Sequence, residues 1–348
     1  MTQPLSVLIA DTDDDRRRDL GLALYEGGFE AVNAVNAEEA LRFTAGLDPA
    51  LVVVHTDLDG ISPVELFTRL AGTGLSLPPF LILAGADEDG DKDPEGADFH
   101  YLDPGDLDPS RFLYQVRLLL LAREIGGEVG DGLDSLFGDL TRIAVGDLLR
   151  VLERDSITGH VRLNIGPGAG IWLADGRVVQ AYWGVLKGRK AFNRIAGLHQ
   201  GAFVIELVPA AVEPEIDSDL GVLVSDAIEE RLQLEELFSK LPSLKARVDI
   251  QMGNDFFAVD FTSLEREVLT RVQNSRNLGD LVNRVEMTDL ETVKAIENLA
   301  EKGVLRIYEP TSQIHLVTDS TCDLLPGFAR RHAINVVPLS VVLSLIHI

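Results

Sequence analysis

The 348-residue chain is 46% hydrophobic and 25% charged, holds one cysteine and carries a net charge of −25. That length and composition give two or three packed domains and exclude wholesale disorder, while the lone Cys322 excludes an intramolecular disulfide or a cysteine-rich metal site. A charge this negative repels phosphate backbones and anionic lipid, so neither nucleic acid nor membrane is expected as a partner. The first residues carry no basic, apolar leader and no apolar run approaches a membrane span, so a cytoplasmic location is expected.

Three short apolar runs open the chain: Ser6–Ala10 (SVLIA), 51–54 (LVVV) and 79–83 (PFLIL). Helical spacing of apolar residues appears at 16–27 and again at 112–123. Strands without alternation, separated by helices, predict a doubly wound parallel α/β domain over 1–124. Residues 125–135, rich in glycine and acid, read as a linker. An α+β module is predicted over 136–210. It has a helix at 139–154, strands at 159–165, 170–174 and 177–182, a helix at 187–195 and a closing strand at 201–207. Asp175-Gly176 marks a hairpin turn. Trp172 and Phe203 are expected in the core, and His160 stands isolated.

Residues 211–310 begin with polar sequence and continue with helices at 220–238, 264–272, 278–285 and 289–302, then a strand at 303–308. That order predicts a winged-helix-like unit, with Gly303 ending the last helix. The helix at 289–302 carries Asp289, Glu291, Glu297 and Glu301 against Lys294 and Lys302, a poor match to a DNA groove.

Across 1–124 the element order, the Pro49–Val54 phrase, Gly96-Ala97-Asp98 and Asp103-Pro104 resemble CheY-like receiver domains. The resemblance implies a phosphoacceptor aspartate at the end of the strand that here reads Leu51-Val52-Val53-Val54. It also implies an acidic pair for magnesium, a hydroxyl and a lysine. His55 stands at the phosphoacceptor position, with Asp57 two residues later. The acidic pair is Asp11 and Thr12, with Asp13 next; the hydroxyl position holds Ala84, the lysine position Asp103, and the aromatic switch position His100, beside Tyr101. With nucleophile, hydroxyl and cation replaced, the resemblance implies a phosphorylation-incompetent pseudo-receiver without catalytic residues or cofactor. The alternative is a true phosphoacceptor response regulator of a phosphorelay, using Asp57 with magnesium at Asp11 and Asp13.

Phe137-Gly138-Asp139-Leu140, Asp147-Leu148-Leu149, Thr158-Gly159-His160-Val161, the 171–179 phrase and Gly201-Ala202-Phe203 resemble the PATAN domain. That family of bacterial signalling modules implies protein interaction. Residues 311–342, with Thr318-Asp319-Ser320-Thr321, Asp323-Leu324 and Asn335-Val336-Val337-Pro338-Leu339, resemble the opening of DegV-family proteins. That resemblance implies a fatty-acid ligand, held in a C-terminal domain of which only the start is present. Residues 343–348 (LSLIHI) are expected to be a non-native tail. The expectation for the whole is a multidomain α/β and α+β bacterial signalling adaptor that is not an enzyme. Its expected partners are other signalling proteins, with a homodimer through the receiver-like domain as one arrangement.

Overall fold

A computed structural model describes residues 4–56, 58–74, 76–84, 93–130, 132–240, 243–251, 260–308, 317–319 and 335–337. They fall into two compact units, Met1–Arg231 and Leu232–Ile348. The first unit opens with β1 (Ser6–Ala10), α1 (Asp14–Glu26), β2 (Glu30–Ala34), α2 (Ala37–Leu47), β3 (Leu51–His55) and α3 (Pro63–Ala71). It continues with β4 (Phe80–Leu83), β5 (Phe99–Leu102) and α4 (Pro109–Ile125). The five strands form one parallel sheet in the order β2-β1-β3-β4-β5, the doubly wound order of flavodoxin and CheY. β1, β3 and β4 are apolar except for Ser6 and His55 at strand ends, because each face of the sheet meets a core. Val7, Ile9, Val53 and Leu81 face Leu20, Leu24, Phe112 and Val116 of α1 and α4. Leu8, Val52, Val54 and Ile82 face Ala40, Leu66 and Leu70 of α2 and α3. Asp13, Asn36, Ser62 and Asp108 cap the four helices, each side chain accepting from a first-turn N–H. Among the described residues no helix joins β4 to β5.

The rest of the first unit is an antiparallel sheet and three helices. They are β6 (Glu128–Val129), β7 (Ser135–Asp139), α5 (Val145–Arg154), β8 (Gly159–Leu163), β9 (Ala169–Ala174), β10 (Arg177–Trp183), β11 (Leu186–Lys187), α6 (Gly188–Ala196), β12 (Ala202–Glu206) and α7 (Leu220–Lys240), of which the part up to Arg231 belongs to this unit. The sheet order is β11-β10-β9-β8-β12-β7-β6. Asp175 and Gly176 both take positive φ, +49° and +78°, as the expected hairpin turn requires. A Cβ at Gly176 would stand 2.6 Å from Glu153 O, so only glycine fits there. The segment expected as a linker instead forms part of this sheet. β6 pairs with β7, and a Cβ at Gly127 would approach Phe137 O to 2.7 Å. Its glycines therefore serve close backbone packing rather than flexibility. The helix expected from residue 139 begins only at Val145, because 135–139 is a strand paired with β12.

Leu148, Leu149 and Leu152 of α5, Phe192 and Ile195 of α6, and Leu220, Leu223 and Val224 of α7 close this second core against Val161, Leu163, Ile171, Leu173, Phe203 and Ile205. The start of α7 therefore packs in the second core, and 215–216 is tied to the sheet by N–H donation to Val179 O at 2.8 and 3.0 Å. α4 belongs to both cores. Phe112, Val116 and Leu119 enter the first, while Leu118, Leu121, Ala122 and Ile125 enter the second. Each buried leucine contributes roughly 1.5–3 kcal/mol, so the join between the two domains is itself core.

The second unit holds β13 (Arg247–Ile250), α8 (Ser263–Val272), α9 (Leu278–Arg284), α10 (Asp289–Glu301) and β14 (Leu305–Tyr308), with β13 antiparallel to β14. Val268, Leu281, Val293, Ile296 and Leu299 form its core. Gly303 leaves α10 at φ +70°, as expected of a helix end leading into a strand. β15 (Val317–Asp319) and β16 (Asn335–Val337) form a separate parallel pair. Thr318 and Asp319 lie on β15; Ser320, Thr321 and the 343–348 tail lie outside the described residues.

Candidate functional site

In an open parallel α/β sheet, ligand chemistry gathers at the carboxyl ends of the strands, beside the point where strand order reverses. Here that point is between β1 and β3. Asp11 follows β1, His55 ends β3, Ala84 follows β4 and Asp103 follows β5, so the sheet brings these four sequence-predicted positions to one end. Asp57 lies outside the described residues.

Asp11 is fully buried and its carboxylate accepts three hydrogen bonds among the described residues. Arg16 donates to both oxygens, through Nε and, at 2.9 Å, through Nη2; the Asp13 N–H donates to Oδ1 at 2.9 Å. Arg17, itself buried, donates to the Asp11 carbonyl and to Asp14. The hydrogen bond to Asp11 raises the Arg16 pKa further above its ordinary value. Asp13 is the N-cap of α1. It accepts from the Arg16 and Asp15 N–H groups at 3.1 and 2.9 Å, and these backbone donors hold its carboxyl below the usual range. A buried carboxylate needs this kind of pairing, and the first turn of α1 provides it with a guanidinium.

Thr12 is exposed. Ala84 offers only its N–H, which donates to Leu102 O at 3.0 Å. The Asp103 carboxylate caps the short turn after β5, accepting from Gly105 N–H at 2.8 Å. His55 is half-buried at the end of β3. Among the described residues, the two carboxylates placed to meet magnesium here, Asp11 and Asp13, already have protein donors. Both Asp11 oxygens face Arg16, and Asp13 is committed to the helix cap. Among the described residues no group of three or more His, Cys, Asp or Glu is arranged to hold a metal ion. Toward the other end of β5, His100 Nε2 lies 2.9 Å from Asp98 Oδ1 and holds that carboxyl below its usual range. Burial, then the hydrogen bond to Asp93, pushes the Tyr101 hydroxyl up to about 12.

A second cluster lies on the antiparallel sheet, where sequence reasoning saw only isolated residues. Glu206, His160, Trp172 and Gln180 form one cross-strand row. Their strand neighbours Val161, Ile171 and Ala181 point to the opposite face and into the core, so Trp172 is not a core residue, whereas Phe203 is. The register explains this: in Ile171-Trp172-Leu173 the two aliphatics take the core face and the tryptophan takes the other. The His160 ring stacks on Trp172 with centroids 4.1 Å apart and planes 7° from parallel. Its Nε2 lies 3.1 Å from Tyr182 Oη, and its Nδ1 is 3.7 Å from Glu206, which also pairs with Arg162 at 3.1 Å. Gly170 makes the space for this. A Cβ there would come within 2.7 Å of both His160 Nε2 and Tyr182 Oη. Burial lowers the His160 pKa, opposed by Glu206.

Comparison with solved structures finds similarity over about a third of the chain. A response regulator receiver domain protein from Bacillus halodurans shares 16% identity over 33% of this chain and 96% of its own, with a TM-score of 0.29. The receiver domain of a Francisella response regulator shares 19% over 33% and 96%, at 0.28. A Chloroflexus aurantiacus protein assigned as a response regulator shares 29% over 34% and 98%, at 0.27. No family model and no curated protein matches the chain. No helix among the described residues is long and apolar enough to cross a membrane.

Proposed function

We propose that the chain is a non-catalytic signalling adaptor of two-component type, whose receiver-like domain works without phosphorylation. The observation that carries this reading is the Arg16–Asp11 ion pair. It fills with a built-in guanidinium the corner where phosphoryl chemistry would need a metal ion. His55, Ala84 and Asp103 support it, since none supplies a carboxylate nucleophile, a hydroxyl or an ammonium. A phosphoryl group at this end would also face Asp103 with no lysine to neutralise it.

The sharing of α4 supports a scaffolding role. Its outer face is occupied by the second core, so a partner or a second copy docks elsewhere on the first domain. α1 presents Leu22 and Tyr25, 56% and 77% exposed, for such contacts. The antiparallel module, by its PATAN resemblance, supplies a further protein-binding surface. The 311–342 segment, by its DegV resemblance alone, adds a lipid-binding function toward the C-terminal end. The test is incubation of the full chain with acetyl phosphate and magnesium, read by intact mass. An unchanged mass supports the proposal. A gain of one phosphoryl group that disappears in Asp57→Ala establishes a phosphoacceptor response regulator instead.

A further inference from the structure

A cleft of about 1100 Å³ lies at the opposite end of the parallel sheet from the acidic corner. Its walls are the Gly27–Phe29 and Asp48–Ala50 loops of the first domain, the turn at 154–157 of the second, and α4 between them. The floor is apolar: Leu120, Leu121, Phe29 and Ile157 line it, with Leu121 and Ile157 fully buried at their bases. Its volume stands just above the small-molecule range, and its lining is polar and apolar in about equal measure.

The polar groups are two arginines of α4. Arg117 Nη2 reaches only the Gly27 carbonyl, at 3.4 Å, and Arg123 Nη1 only the Ala50 carbonyl, at 3.3 Å. Neither comes within 4 Å of a carboxylate among the described residues, although Arg123 stands near enough to Asp98 to help hold that carboxyl below its usual range. A guanidinium has five donors, and one long bond to a neutral acceptor leaves most of them unused. In a chain of net charge −25, two such arginines on one cleft need a reason. The third lining arginine shows the contrast. Arg154 is tied to Glu124 at 2.7 and 2.5 Å and to Asp155 at 2.8 and 2.9 Å, so its one guanidinium is shared between two carboxylates. Asp48, exposed at the end of α2, is the remaining carboxylate of the lining.

We propose that this cleft binds a small ligand carrying an oxyanion, a carboxylate or a phosphate, on a short apolar body. Arg117 and Arg123 grip the oxyanion, by the fork geometry that suits guanidinium to both groups, and the leucines of α4 cover the body. Such a ligand touches both domains at once and ties them more firmly together. The assignment is independent of the reading above, because the cleft shares no residue with the acidic corner.

The experiment is thermal unfolding of the full chain with hexanoate, hexyl phosphate, inorganic phosphate and hexanol. The expected result is a saturable rise in melting temperature with one or both amphiphilic anions. The rise is on the order of 5 °C at a hundred times the dissociation constant. Inorganic phosphate and hexanol leave it unmoved, and the Arg117→Gln/Arg123→Gln double variant loses the response. The stronger of hexanoate and hexyl phosphate identifies the oxyanion. No shift with either anion, an equal shift with hexanol or inorganic phosphate, or a shift retained in the variant overturns the proposal. A second reading uses the unaltered protein. Hydrogen exchange with saturating anion slows at 27–29, 48–50 and 155–157 if the cleft is the site; slowing elsewhere alone overturns it.

Discussion

α1 and α4 pack side by side on the same face of the first sheet, and Leu20 and Leu24 of one share a core with Phe112 and Val116 of the other. They differ on the side turned away from that sheet. α1 exposes Arg18, Leu22 and Tyr25, whereas α4 buries Leu118, Leu121, Ala122 and Ile125 in a second core. A helix with one packing partner keeps a polar side; a helix with two is apolar around most of its circumference. The strongly apolar stretch 112–123 is thus a sign of domain fusion. It shows that the receiver-like fold here has given up a surface to its neighbour.

The largest effect is expected at the outer face of α4. Leu118→Ala is expected to cost about 3–4 kcal/mol in urea unfolding of the first unit, because it opens a cavity in the second core. Leu22→Ala, on the exposed side of α1, is expected to change stability by less than about 0.5 kcal/mol. Equal costs for the two would mean that the outer face of α4 is not core.

Arg16→Ala comes next. It strips a fully buried carboxylate of its cation and is expected to cost about 2–3 kcal/mol by the same measurement. Asp11→Asn/Arg16→Gln, which removes both charges, is expected to recover part of that loss. A neutral effect of Arg16→Ala would remove the ion pair from the account of this corner.

Gly170→Ala sharpens the contrast on the other domain, where packing is set by a missing side chain. The new Cβ would press into His160 and Tyr182, at an expected cost of about 1–2 kcal/mol and with a loss of the His160–Trp172 stack, visible in near-ultraviolet circular dichroism. The smallest effect is a pH dependence. Burial depresses the His160 pKa below its unfolded value near 6.5, so the unfolded chain binds the extra proton first. The stabilisation is therefore present above about pH 6.5 and is lost as pH falls from there toward the lower folded pKa. Comparing unfolding of the parent and His160→Gln across pH 5 to 8 checks the sign; stability that rises as pH falls would reverse it.

The central strands β1, β3 and β4 are legible in the sequence because they are covered on both faces and read as unbroken apolar runs. The edge strands β2 (EAVNA) and β5 (FHYL) are not, since an edge tolerates polar residues and loses the pattern. β6 and β7 hide for another reason: glycines that admit close backbone contact look like a spacer in one dimension. At the acidic corner, Asp11, His55, Ala84 and Asp103 are found by their places at strand ends. Arg16 and Arg17 are missed because their role depends on the helix cap at Asp13, which turns the first turn back over Asp11. The capping aspartate, followed within three and four residues by two arginines, was the available signal. The His160 cluster is spread over four strands, and only strand register brings Glu206, His160, Trp172 and Tyr182 together.

The central claim is that the first domain holds one state and does not switch on phosphorylation. Hydrogen exchange of the full chain, with and without magnesium and beryllofluoride as a phosphoryl mimic, tests it most directly. Exchange at 11–17, 52–56, 84 and 103, and along α4, is expected to be identical with and without the mimic. Slowed exchange at those strand ends together with a change in α4 would show a working phosphoacceptor pocket and contradict it.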